Sequence, residues 1–138
     1  MFLALLAIAD RLRNAAHFQN WDVRDGMSMV SRQSVPAVDL RIEGATVDAA
    51  GAGNATVEPA ITVRLIVERG EDAPVALDRA FGTVIAELHG LRIKDSGGRC
   101  WSWLKLAGVR DLPVAEGFVG CGMTFTSSSE FTGQQCDC

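Results

Sequence analysis

Two runs with a period of two constrain this chain more than any other feature. They are Val38–Asp39–Leu40–Arg41–Ile42–Glu43 and Ile61–Thr62–Val63–Arg64–Leu65–Ile66–Val67–Glu68. Such alternation buries every second side chain and leaves the others in water. Two strands that follow one another directly pair antiparallel. Between them lies Gly44-Ala-Thr-Val-Asp-Ala-Ala-Gly-Ala-Gly-Asn-Ala-Thr56. A two-residue turn joins such strands, so this segment is longer than a connector needs. Its small side chains cannot form a core of their own. It reads as a loop that orders against something else, with Val47, Asp48 and Asn54 as contact residues. That points to assembly rather than catalysis.

A chain of 138 residues suits one domain with a single core. The reading is one α+β domain over residues 1–131, followed by a flexible cysteine-containing tail over 132–138. A net charge of −4 and scattered basic residues argue against nucleic acid as a specific partner. The absence of tyrosine and 7% aromatic content weaken base stacking further. Met1–Ala9 is apolar, but it has no basic start and runs straight into Asp10–Arg13. It reads as the beginning of a helix rather than a signal peptide. No other run approaches the ~20 apolar residues of a membrane span, so the chain reads as one made in the cytosol.

The four cysteines are Cys100, Cys121, Cys136 and Cys138. A reducing compartment disfavours disulfides. A terminal Cys-x-Cys without any Cys-x-x-Cys is the wrong spacing for zinc. Cys121 reads as a small hydrophobe in a strand. No cofactor and no metal are expected.

Phe2–Ala16 predicts an amphipathic helix with Phe2, Leu5, Leu6, Ala9, Leu12 and Ala16 on its apolar side. Asp25-Gly26 marks a turn. The aperiodic Gly26–Ser34 reads as an exposed loop, in which Met27, Met29 and Arg32 are candidates for contact with a partner. A second helix begins at Asp72, tolerates Pro74 in its first turn and stops at Gly90, with Leu77, Phe81, Val84, Ile85 and Leu88 as its stripe. Cys100 onward reads as one strand toward Val109 and Leu112, bulged at Gly108. In the last strand Val119, Cys121, Met123 and Phe125 face one way. Gly120 and Gly122 face the other, where a second backbone could approach closely. Ser127–Cys138 reads as a polar, mobile chain end. The sum is a four-stranded antiparallel sheet with two helices on one face, in the order α-β-β-α-β-β.

The search for chemistry is mostly negative. His17 and His89 both sit at helix ends, where a histidine commonly satisfies carbonyls or the dipole. No nucleophile elbow, phosphate loop, metalloprotease helix or dinucleotide motif is present. Trp101 and Trp103 read as sheet-face packing, with an interaction hot spot as the alternative.

The arrangement resembles the tail terminator proteins of long-tailed bacteriophages, the family of the lambda minor tail protein U. The resemblance rests on the helix Phe2–Ala16, on Val35-Pro-Ala-Val-Asp-Leu-Arg-Ile-Glu-Gly44 leading into the small-residue segment, and on Ile61–Glu68. The helix Asp72–His89 and the closing hairpin Leu106–Ser127 complete it. Gln134–Cys138 has no counterpart in it. The resemblance implies a non-enzymatic virion protein of the tail or neck, assembled in the host cytoplasm. It implies a homohexameric ring that caps the tail tube, ends its polymerisation and offers a surface for head joining. The implied partners are further copies of the chain, the tail tube protein and a head–tail connector, with no membrane and with DNA only passing through the lumen. A head–tail connector is the neighbouring alternative. A small α+β enzyme using His17 or His89, or a regulatory binding module, is the alternative of another class.

Overall fold

The computed structural model describes residues 1–27, 34–51 and 53–133. Helix α1 (Phe2–Arg13) buries Ala4, Leu5, Ile8, Ala9 and Leu12. The apolar side is thus rotated from the expected one: Phe2 is 50% exposed, and Ala16 lies beyond the helix in a short 3-10 turn, Ala16–Phe18. The packed side includes the small side chains of Ala4 and Ala9, both buried. Arg11 and Arg13 close the last turn and complement its dipole.

Strand β1 (Asp22–Arg24) pairs parallel with β2 (Ala37–Gly51), and β2 pairs antiparallel with β3 (Asn54–Glu68). Here the structure departs from the sequence reading. The small-residue segment is not a loop: β2 and β3 are each 15 residues long and stay paired out to Gly51 opposite Asn54. Ladder hydrogen bonds come from the backbone and need no side chain, so Gly and Ala do not prevent them. A bulge between Ile42 and Gly44 marks where this arm leaves the body of the sheet.

Helix α2 (Ala73–Leu88) starts after Asp72, and Gly90 follows it at φ +82°. That left-handed conformation suits glycine at a helix end. Ala80, Val84 and Leu88 are fully buried, flanked by the half-buried Leu77, Phe81 and Ile85.

Next comes a small separate hairpin of β4 (Arg92–Lys94) and β5 (Cys100–Trp103). β6 (Lys105–Asp111), β7 (Phe118–Thr126) and β8 (Ser129–Thr132) follow. The main sheet runs β1-β2-β3-β7-β6, with β8 on β3. It therefore has six strands and is mixed, not four and antiparallel. Three segments account for the difference. Asp22–Arg24 is too short to show a period. The expected strand from Cys100 to Leu112 is cut at Leu104. That side chain is fully buried, while its N–H reaches Leu91 O at 2.8 Å and its carbonyl accepts from Gly90 N–H at 2.8 Å. Both bonds tie it to the end of α2 and interrupt the strand. The third segment is the expected polar chain end. Ser127 and Ser129 are buried, with hydroxyls on the carbonyls of Ser102 and Cys100, and Ser129–Thr132 adds to β3 opposite Asn54–Val57. The bulge expected at Gly108 lies between Leu106 and Gly108.

Both helices lie over one face of the sheet. Leu5, Ile8 and Leu12 of α1 and Val84 and Leu88 of α2 share a core with Leu40, Ile61, Leu65, Met123 and Phe125. The opposite face is polar: Asp39 accepts from Arg41 at 3.1 Å and from Arg64 at 3.4 Å. Among the described residues no helix is long and apolar enough to cross a membrane.

Candidate assembly interface

Beyond Gly44 the β2–β3 arm carries one strand pair and the short β8, and its two faces differ. Cross-strand partners share a face. Val47 therefore stands beside Val57, and Ala55 beside Phe131. On the other face Thr46 stands beside Glu58, and Thr56 lies between Asp48 and Glu130. Val47 is 61% exposed, the most exposed of the large apolar side chains among the described residues. Asp48 and Asn54 are exposed as well. The structure thus gathers Val47, Asp48 and Asn54 on one arm.

β8 pairs with the tip half of this arm, Asn54–Val57. Phe131 meets Trp101 edge to face at 6.1 Å, and the Arg99 guanidinium lies 3.6 Å over the Phe131 ring. Arg99 also donates to Glu130 O at 2.7 Å. These contacts join the tip strands to the β4–β5 hairpin.

The other candidate residues lie elsewhere. Met27 follows the Asp25-Gly26 turn, with its N–H on Asp25 Oδ1 at 2.9 Å and its side chain 54% exposed. Met29 and Arg32 lie outside the described residues. Gly120 and Gly122 are both buried in β7. The backbone close to Gly120 belongs to the same sheet: a Cβ there would stand 2.6 Å from Leu65 O. At Gly122 a Cβ would meet the Arg110 side chain at 3.6 Å.

The two tryptophans separate. Trp101 is buried, whereas Trp103 is 42% exposed. His89 caps the end of α2; its Nδ1 accepts from Leu106 N–H at 3.1 Å and its ring meets Trp103 at 6.0 Å. His17 packs edge to face on Phe18 at 5.1 Å. Both histidines thus take part in packing. Among the described residues no group of three or more His, Cys, Asp or Glu is placed to hold a metal ion. The thiol of Cys121 is pushed up by burial and by the nearby Asp111 carboxylate, which makes it a poor nucleophile at neutral pH.

No family model matches this chain, and no curated protein matches it. Among solved structures, a chain in the virion of the native gene transfer agent (GTA) particle superposes with a TM-score of 0.66. The overlap covers 92% of this chain and 94% of that one, at 16% identity. The fold is one found in a virion particle. Because the overlap spans nearly both chains, the whole α+β arrangement is shared, not merely a hairpin or a helix pair.

Proposed function

We propose that this chain is a structural virion protein, a tail terminator that forms a ring on the tail tube, ends tube growth and provides the surface for head joining. The observation that carries the reading is the near-complete fold overlap with a chain of the gene transfer agent virion. The arm supports it physically. A paired extension with an exposed Val47 gains stability by lying against another surface. A ring needs one surface to meet a different surface on the next copy, and an arm together with a body provides two.

In this reading the assembly is a homohexamer that contacts the tail tube protein and a head–tail connector. It resides in the tail or neck after assembly in the host cytoplasm. Val47, Asp48 and Asn54 on the arm and Met27 beside the Gly26 turn, together with Met29, Arg32, Gly120 and Gly122, are the proposed interface positions. The negative net charge leaves DNA to pass through the lumen without specific binding.

Overlap with a virion chain would equally suit a head–tail connector. Electron microscopy of tail tubes assembled with and without the chain separates the two. A terminator appears at one tube end, and tubes made without it grow to irregular lengths. A chain absent from tube ends but present on purified heads is a connector. A chain found at neither place overturns the virion reading.

A further inference from the structure

Arg92 and Lys94 of β4 and Lys105 at the start of β6 place three cations on and beside the β4–β5 hairpin. Arg92 stands opposite Trp103 and Lys94 opposite Cys100, and all four are exposed. Lys105 adds a third cation, its Nζ 4.9 Å from the Trp103 ring. Six arginines are ion-paired: Arg11, Arg13, Arg24, Arg41, Arg64 and Arg110. Among the described residues none of these ion pairs involves Arg92, Lys94 or Lys105. An exposed tryptophan set among unpaired cations has the make-up of an interaction hot spot.

The arm has the complementary make-up. From Gly44 to Ala60 the chain contains Asp48 and Glu58 and no lysine or arginine. β8 adds Glu130 to the same exposed face. In a chain of net charge −4, repulsion between copies opposes indiscriminate contact. A local cationic surface then selects which part of a neighbour can approach.

We propose that the β4–β5 hairpin is the docking surface for the arm of a second copy, laid with its Glu58–Glu130 face on Arg92, Trp103 and Lys105. This deepens the ring-forming reading above and rests on it. Each copy lends an arm and receives one, so the contact is head-to-tail and propagates until a ring closes. Three cations are few for a duplex, whose binding draws on many phosphate contacts. They are enough for a short acidic strand.

The test is a charge swap in the full-length chain, read by sedimentation and native mass measurement at low and high salt. Arg92→Glu with Lys105→Glu weakens self-association about tenfold or more, a hot-spot-sized loss. Glu58→Lys with Glu130→Lys does the same, and all four substitutions in one chain restore it. Trp103→Ala weakens it without restoration. Unchanged circular dichroism and melting show that the variants fold. Normal assembly by both charge-reversed chains overturns the docking surface and leaves the ring reading standing. A wild-type chain that stays monomeric at every concentration also overturns it, and tube-end imaging then decides the ring reading separately. Loss of DNA-duplex retention by the Arg92/Lys105 variant, with assembly intact, overturns it in favour of nucleic acid.

Discussion

Trp101 Nε1 donates a 3.1 Å hydrogen bond to Asp95 Oδ2, with both side chains buried where the β4–β5 hairpin meets the core. The other carboxylate oxygen accepts from Gly97 N–H at 2.9 Å and Arg99 N–H at 3.0 Å, which shapes the turn between the strands. One acid thus positions both the buried tryptophan and the strand that carries Trp103.

The Asp95 carboxyl is held below its ordinary value of 3.8, chiefly by the Trp101 indole, against desolvation, and further by the Arg99 and Gly97 amides. A depressed pKa stabilises the fold above the unfolded value, and that stability is lost as pH falls through the folded one. Asp95→Asn should therefore reduce the fall in melting temperature between pH 4 and strong acid. Melting curves across that acid range check it; parallel curves for the two proteins refute it.

Gly120 and Gly122 should respond unequally to alanine. At Gly120 the new methyl would stand 2.6 Å from the backbone oxygen of Leu65, so strands must move apart, at a cost of about 1–3 kcal/mol. At Gly122 the nearest atoms, 3.6 Å away, belong to the flexible Arg110 side chain, and the change is close to neutral. Urea unfolding of the two variants measures the difference.

Arg13 and Arg11 make ion pairs of unequal worth. Arg13 Nη2 reaches the buried Asp25 at 3.1 Å and Val23 O at 3.1 Å, joining α1 to β1. Its loss removes a charge-assisted hydrogen bond to a buried carboxylate that Met27 N–H still holds, so Arg13→Ala costs about 1–3 kcal/mol. Arg11 pairs with Glu87 at the surface, where Arg11→Ala costs at most about 1 kcal/mol. Paired thermal melts rank them.

Replacing Ala45–Ala55 with a tight turn should spare the core around Leu65 and Phe125 but prevent assembly. It also removes Asn54 and Ala55, the ladder partners of Thr132 and Phe131, so faster hydrogen exchange should appear in β8. Tail completion by this deletion at the wild-type level would sink the proposed role of the arm.

The elements with strong local signals are legible in the sequence. β2 and β3 show period two, while α2 shows a capped stripe from Asp72 to Gly90. α1 is legible in existence but not in rotation, because Ala4 and Phe2 are both apolar and only packing decides between them. Of the candidate interface, Val47, Asp48 and Asn54 are legible as a group because they lie within one segment. The cationic surface is not: the turn that Asp95 holds separates Lys105 from Arg92 and Lys94 along the chain.

By itself the sequence determined which faces of β2, β3 and α2 are buried, since alternation and helical spacing are properties of neighbouring residues. Only the tertiary structure decided the rest. The Gly/Ala segment became an arm rather than a loop because its backbone found a partner strand, and β8 joined because Asn54–Val57 offered it an open edge. Leu104 split one apparent strand in two because the core took its side chain and the end of α2 took its backbone. Such choices depend on hydrogen bonds and burial between residues far apart in the chain, which no local pattern records.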